Sequence, residues 1–238
     1  MSIDILAIGV HPDDVELSCA GTLLKHMAAG YTVGLLDLTR GELGTRGTPE
    51  LRLKEAEASA KILGVRFREN LGMADGFFVN DQAHQLKIIE KIREHRPKIV
   101  LCNAVSDRHP DHGRAAQLVE EACFYSGLRK IETGFNKSMQ EPWRPKAIYH
   151  YIQDRTLKPD LLVDVSDFAE KKFEAIRAFA SQFYDPNSQE PASPISSKEF
   201  MDSVAAKMRV WGRELQVEFA EGFTVKRMIG VNDLLTLI

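Results

Sequence analysis

Two short clusters hold residues that could do chemistry together, His11-Pro12-Asp13-Asp14 and His109-Pro110-Asp111-His112. Imidazole nitrogens and a carboxylate oxygen are what a divalent ion of the zinc type accepts, with three protein ligands leaving a fourth position open to water. His11 and Asp14 stand three residues apart with Pro12 stiffening the turn between them, which preorganises a pair of ligands on one loop. Adjacent carboxylates repel unless a cation lies between them. Asp13 then sits beside the site without needing to ligate, the position of a general base. The second cluster repeats the i, i+3 spacing, which does not say whether His109 or His112 completes the ligand set. The other histidine is left to stabilise an oxyanion or carry a proton, oriented by Asp111 through its second ring nitrogen.

Each cluster alone also has a plainer reading. HPDD can be an Asp-rich N-cap for a following helix, and HPDH a proline-initiated helix start with solvated histidines. What favours the metal site is position. The run Ile3 to Val10 ends at the first cluster, and the run Lys98 to Cys102 ends just before the second. Strands this apolar need both faces covered, so their tips meet a crevice, and the carboxyl edge of such a sheet is where ligands bind.

The elements between the clusters read as repeating strand and helix. A strand over 3–10, a helix from Val15 to Ala29 ended by Gly30, and a strand from Tyr31 to Leu38 form a parallel pair with a right-handed crossover. Thr48 as N-cap, Pro49 and Gly64 bracket the next helix, whose buried stripe is Leu53, Ala56, Ala60 and Leu63. A strand over 65–71, a helix over 81–95, the strand 98–102 and a helix over 111–125 follow. The second half is mixed, with strands at 147–152 and 161–165, helices over 167–181 and 198–220, and a turn-rich loop between them. The fold class is α/β, with one domain over 1–238, no internal repeat and no linker.

Composition narrows the function classes. The apolar fraction of 44% and charged fraction of 27% are those of an ordinary globular protein, and a net charge of −3 points to neither nucleic acid nor an anionic membrane as partner. Cys19, Cys102 and Cys123 form no CxxC pair and read as reduced packing residues. There is no basic segment ahead of the first apolar stretch, and no run approaches the roughly eighteen apolar residues of a membrane span. The expected location is the cytoplasm.

With these residues in place, AIGVHPDDVELSCAGTL and SDRHPDHGRAA resemble the LmbE-like (PIG-L) zinc-dependent N-deacetylases, over nearly the whole chain. RGELGTRGTPELRLKEA, YHYIQ, ASQF and AEGF are most similar to the bacillithiol-biosynthesis branch, which deacetylates N-acetylglucosaminyl malate. The resemblance implies a Rossmann-like three-layer sandwich with a mostly parallel sheet, one Zn2+ per chain or another divalent ion in the cell, a small amino-sugar conjugate as substrate, and a homo-oligomer, with hexamers among relatives. It makes His11, Asp14 and His112 the metal ligands, Asp13 the base, and a protonated His109 backed by Asp111 the oxyanion stabiliser. Arg52 would hold sugar hydroxyls, where the residues alone suggest a solvated helix pair with Glu55. Arg144 is offered as a partner for the base, with surface charge as the competing reading. A tyrosine that some relatives place near the oxyanion is replaced by Phe200, so that donor is either missing or supplied by another residue such as Tyr184 or Tyr125. His26, His84 and His95 read as solvated, His150 as a satisfied, partly buried histidine, and Cys102 as a small buried residue.

Three rival functions are weaker. A dinucleotide-binding oxidoreductase lacks GxGxxG, since Pro12 and Asp13 would obstruct and repel a pyrophosphate. A metallo-β-lactamase type needs a His-x-His-x-Asp-His run of which RHPDH supplies only the ending. A metal- or sugar-binding protein without catalysis has no need of Asp13 or His109.

Overall fold

The computed structural model describes residues 2–135 and 138–236. Strand β1 (Ile5–Gly9) and strand β2 (Val33–Thr39) are buried along their whole length, as continuous apolar runs require when helices cover both faces. Side chains alternate across β1. Leu6 and Ile8 pack with Ile88, Ile89 and Leu118 on one side, and Ile5 and Ala7 with Val15, Cys19 and Leu23 on the other. The first layer contains α3 (Gln82–His95) and α4 (Pro110–Tyr125); the second contains α1 (Asp14–Ala28), with α5 (Ala169–Arg177) against it and α2 (Pro49–Leu63) against α5. Between them lies a seven-stranded sheet.

Strands β3 (Arg68–Met73), β4 (Ile99–Cys102) and β7 (Ala147–Tyr151) join β1 and β2 in parallel. The remaining strands are β8 (Leu161–Asp164) and β9 (Ala220–Thr224), and a separate hairpin pairs β5 (Gly134–Phe135) with β6 (Ser138–Met139). The order is β3-β2-β1-β4-β7-β9-β8, with β9 antiparallel to both neighbours. Chain order reverses between β1 and β4, which is the topological switch point where an open α/β sheet opens a crevice at its carboxyl edge. The fold is the α/β, mostly parallel, three-layer arrangement that the sequence predicts.

The first half follows the sequence reading in its element order, but the buried face of α2 is Arg52, Glu55, Ala56, Ser59 and Leu63, and Leu53, expected inside, is exposed. Thr48 caps α2 through its side chain, Pro49 opens the helix, and Gly64 ends it at φ 79°. The second half departs from it. The helix expected over 167–181 is a 3-10 turn, Ser166–Phe168, followed by the nine residues of α5. The helix expected to reach 220 is α6 (Lys198–Leu215), which stops where Gln216 takes a left-handed conformation at φ 59°. Strand β9 follows and was not foreseen, because Glu221 and Gly222 disguise a central strand. His95, expected to be solvated, is 9% exposed, stacked on Phe67 and bonded to Glu69.

Glu221 is tolerated in this interior strand, flanked by β7 and β8, because Lys172 meets it at 2.6 Å, both side chains being 1% exposed. Its oxygens also accept the Gly21 and Thr22 N–H groups at 3.0 and 2.7 Å. Removing the lysine strands a buried carboxylate. Lys172→Met is expected to destabilise the fold by about 3–5 kcal/mol, with partial recovery in Lys172→Met/Glu221→Gln, read from urea unfolding midpoints.

Candidate active site

Both histidine clusters lie at the carboxyl ends of neighbouring strands, β1 and β4, and an asparagine ties the two tips together. Asn103 accepts the Val10 N–H at 3.1 Å through Oδ1 and donates from Nδ2 to Asp14 Oδ2 at 2.9 Å. Gln153, just past β7, donates to Asp14 Oδ1 at 3.0 Å, and the His11 N–H donates to Asp14 Oδ2 at 3.0 Å. A buried carboxylate with three neutral donors is stabilised as an anion. Burial works against ionisation of Asp14, but His112 beside it holds the carboxyl far below the usual range.

The imidazoles at 11 and 112 converge on that carboxylate. His11 Nδ1 is 3.7 Å from Asp14 Oδ2, and His112 Nε2 is 3.2 Å from Asp14 Oδ1. In each ring the opposite nitrogen is anchored to another carboxylate, His11 Nε2 to Asp75 at 2.9 Å and His112 Nδ1 to Asp107 at 2.5 Å. This is the carboxylate–histidine pairing that fixes the tautomer and aim of a metal-binding imidazole. The donor set of two anchored imidazoles and one buried carboxylate therefore fits a divalent ion of the zinc type. Among the described residues, two groupings of ligand atoms within 4.8 Å of one another share His11, namely His11–His109–His112 and His11–Asp75–Asp111; a third is Glu69–Glu94–His95. Asp14 is linked to that cluster through its separate contacts with His11 and His112. Neither Asp75 nor Asp107 stood out in the sequence. Asp107→Asn is expected to weaken metal binding about 10–100-fold while leaving the fold intact, measured by competition with a chromogenic chelator.

Asp13 occupies the N-cap position of α1 but makes no side-chain capping bond, so the plain capping reading of HPDD does not describe it. Its backbone stands at φ 126°, strained for a residue with a Cβ. The strain aims its carboxylate at Arg52, whose Nη2 donates to Asp13 Oδ2 at 2.7 Å and to the Pro12 carbonyl at 3.0 Å. Arg52 Nη1 donates to the Gly41 carbonyl at 3.1 Å. Gly41, at φ 65°, must lack a Cβ, since one would fall 2.0 Å from Arg52 Nη1. Burial pushes Asp13 up to about 7 against the pull of Arg52.

These contacts revise two expectations. Arg52 lines the cavity but is not a surface residue: its Nη donors are engaged with Asp13 and two carbonyls, while its Nε has no hydrogen-bond partner. Nor is it a solvated partner of Glu55, which is buried and accepts from Ser181. The pairing offered to Arg144 is thus filled by Arg52. Arg144 lies over Phe124 and donates to its carbonyl.

His109 is the N-cap of α4 and Pro110 its first residue, so HPDH does start a helix, but its histidines are not solvated: His112 is buried and His109 half-buried. Its Nδ1 accepts the Asp111 N–H at 3.3 Å, which leaves Nε2 to carry the hydrogen. Burial, reinforced by His11 and His112, lowers its pKa, which favours the neutral ring over the protonated one that the resemblance implies. The carboxylate of Asp111 takes a different course from the one expected. It accepts from Gly76 N–H and Arg114 and approaches His11 Nε2 at 3.8 Å. Asp111 therefore meets His109 through its backbone, because a side chain at the first turn of α4 points toward the loop at Gly76.

These groups line a cavity of about 380 Å3. Phe200 lines it, whereas Tyr184 is exposed and Tyr125 packs on the core, so neither tyrosine takes the position left to it. Cys102 and His150 are buried, and His150 Nδ1 meets the Asn103 carbonyl at 2.9 Å. Among the described residues no helix is long and apolar enough to cross a membrane.

Comparison with known proteins bears on this site directly. Residues 6–123 match the PIG-L family, described as GlcNAc-PI de-N-acetylase. Diacetylchitobiose deacetylase of Thermococcus kodakarensis is 34% identical over 189 residues, 75% of this chain and 70% of that one. The probable N-acetyl-alpha-D-glucosaminyl L-malate deacetylase 2 of Bacillus anthracis is 27% identical over 195 residues, covering 75% of this chain and 81% of the other. The crystal structure of the conserved protein TT1542 from Thermus thermophilus superposes with a TM-score of 0.85 at 36% identity, over 97% of this chain and 98% of that one. The matched region spans both histidine clusters and the buried Asp13–Arg52 pair, and on that ground the chain belongs to the PIG-L, LmbE-like family and is an amide-hydrolysing deacetylase.

Proposed function

We propose that this chain removes the acetyl group from the amide nitrogen of an N-acetylglucosaminyl conjugate, using a divalent ion, zinc by the chemistry of its donors, held by His11, Asp14 and His112. The observation that carries the reading is Asp13, a buried carboxylate beside those three residues and paired with Arg52 at 2.7 Å, a placement that metal retention alone does not need. When bound, such an ion polarises an amide carbonyl and acidifies water. Asp13 accepts the proton from the attacking water and returns it to the departing amine nitrogen, while Arg52 holds the carboxylate through both protonation states. His109 donates its Nε2 hydrogen to the carbonyl oxygen as charge gathers there, as a neutral imidazole. Acetate and a free amine leave.

Two conjugates frame the substrate, the glucosaminyl malate singled out by the sequence resemblance and diacetylchitobiose, named for a relative. The same reading includes a homo-oligomer acting in the cytoplasm. The test is incubation of zinc-loaded protein with N-acetylglucosaminyl malate, diacetylchitobiose and N-acetylglucosamine, following amine release, with sedimentation velocity for the assembly. Release from at least one conjugate that is abolished by chelation and restored by zinc supports the reading; release from none overturns it.

A further inference from the structure

The cavity lining has two chemically different parts. One holds the ligand trio, Asp13 and His109. The other is walled by α6, which turns Phe200, Val204, Met208 and Trp211 toward it at successive spacings of 4, 4 and 3 residues, a single helical face. Ile152 and Ile195 extend that wall. Part of this face also contributes to the core, with Met208 and Trp211 buried, but Phe200 and Val204 are only half-buried and remain open to the cavity.

Charge in the lining is already matched. Its four lysines and arginines are Arg52, Arg108, Lys172 and Lys207. Arg52 is held by Asp13, Arg108 by Asp154, and Lys172 by Glu221. Lys207 donates to the backbone carbonyls of Gln153 and Asp154. The carboxylates in the lining are Asp13, Asp14, Asp75, Asp107, Asp154 and Glu221, two more than the cations, which is the excess that one divalent ion neutralises. A dianionic aglycone would therefore enter a partly apolar cavity whose lysines and arginines each already have a hydrogen-bond partner, and shedding its hydration there is unfavourable.

We infer that the α6-lined part of the cavity is a subsite for a neutral aglycone with an apolar face, laid against the α6 stripe, and that the enzyme selects against anionic conjugates such as the malate. This rests on the amide-hydrolase reading for its chemistry but concerns only what surrounds the sugar. A flat neutral group gains from burying apolar area on Phe200 and Val204, whereas a carboxylate gains nothing there.

The test compares phenyl N-acetylglucosaminide, both anomers, with N-acetylglucosaminyl malate and free N-acetylglucosamine, by turnover and by calorimetric binding to the zinc-loaded protein. The expected result is a preference of about tenfold or more for one phenyl anomer over the malate conjugate, equivalent to burying a modest apolar area. Ser203 is exposed and lines the cavity beside the stripe. Ser203→Arg supplies the missing free guanidinium and is expected to raise malate-conjugate binding about tenfold relative to the phenyl glycoside, with an unchanged thermal midpoint showing that the fold is intact. Malate bound and turned over as well as, or better than, the phenyl glycosides overturns the inference. If no compound is deacetylated, the hydrolase reading fails, and the binding preference still decides the subsite.

Discussion

Asp13→Asn lowers kcat by about 10²–10⁴-fold while the bound metal per chain stays at the wild-type level. Asparagine keeps the shape of the side chain and a carbonyl oxygen for the Arg52 Nη2 that now donates at 2.7 Å, and it tolerates positive φ better than most residues. It cannot take a proton from water. Because the proposed ligand set is His11, Asp14 and His112, metal content by atomic absorption separates this variant from His11→Ala, which is expected to lose metal and activity together. A kcat within about threefold of wild type, or loss of metal in parallel with rate, would remove Asp13 from the role of base. The pH profile carries a sign as well. In the metal-free chain burial lifts Asp13 to about 7. A cation among the neighbouring ligands favours the carboxylate, so the acid limb of kcat/KM in the loaded enzyme is expected below 7.

Metal loading releases protons, and its pH dependence runs opposite to that of the metal-free fold. Without a cation, His112 lies between Asp14 and Asp107, which raise it to about 10 against the effect of burial. At pH 7 it is therefore protonated, and a metal must displace that proton. The sign for the metal-free chain follows from the raised value. His112 contributes stability that is fully present below about 6.5, its ordinary pKa, and is lost as pH rises toward 10. Zinc affinity does the reverse, rising about tenfold per pH unit for one proton displaced. Thermal melts from pH 6 to 9 with and without zinc are thus expected to diverge, with the metal-free midpoint falling and the metal-induced increment growing. Calorimetry in buffers of different ionisation enthalpy counts the protons, and a count of zero at pH 7 contradicts the ion-paired His112. Chelation should also lower stability by roughly 4 kcal/mol where free zinc stands at a thousand times its Kd.

Much of this molecule is visible in its linear order. Thr48, Pro49 and Gly64 mark the ends of α2 because capping and φ preferences act within a few residues. The parallel half of the sheet shows itself because strands covered on both faces read as unbroken apolar runs. The two histidine clusters stand out because each follows such a run, and a strand tip positions whatever comes next. Strand β9 escapes notice for the same kind of reason. Its Glu221 is acceptable only because Lys172, 49 positions away, neutralises it, and no local rule reports a partner at that distance.

What the sequence by itself determined is the identity and strand-end placement of His11, Asp13, Asp14, His109 and His112, since donor chemistry and backbone preference are properties of each residue and its near neighbours. What only the tertiary structure decided is the direction of each side chain. Arg52 turns to Asp13, Asp111 turns to Gly76 and Arg114, Asp75 arrives from another segment to hold His11, and Asp107, five residues before His112, folds back onto its ring. The physical reason is burial. A charged group removed from water must find compensating partners, and which partners are in reach depends on how β1, β4 and their loops pack.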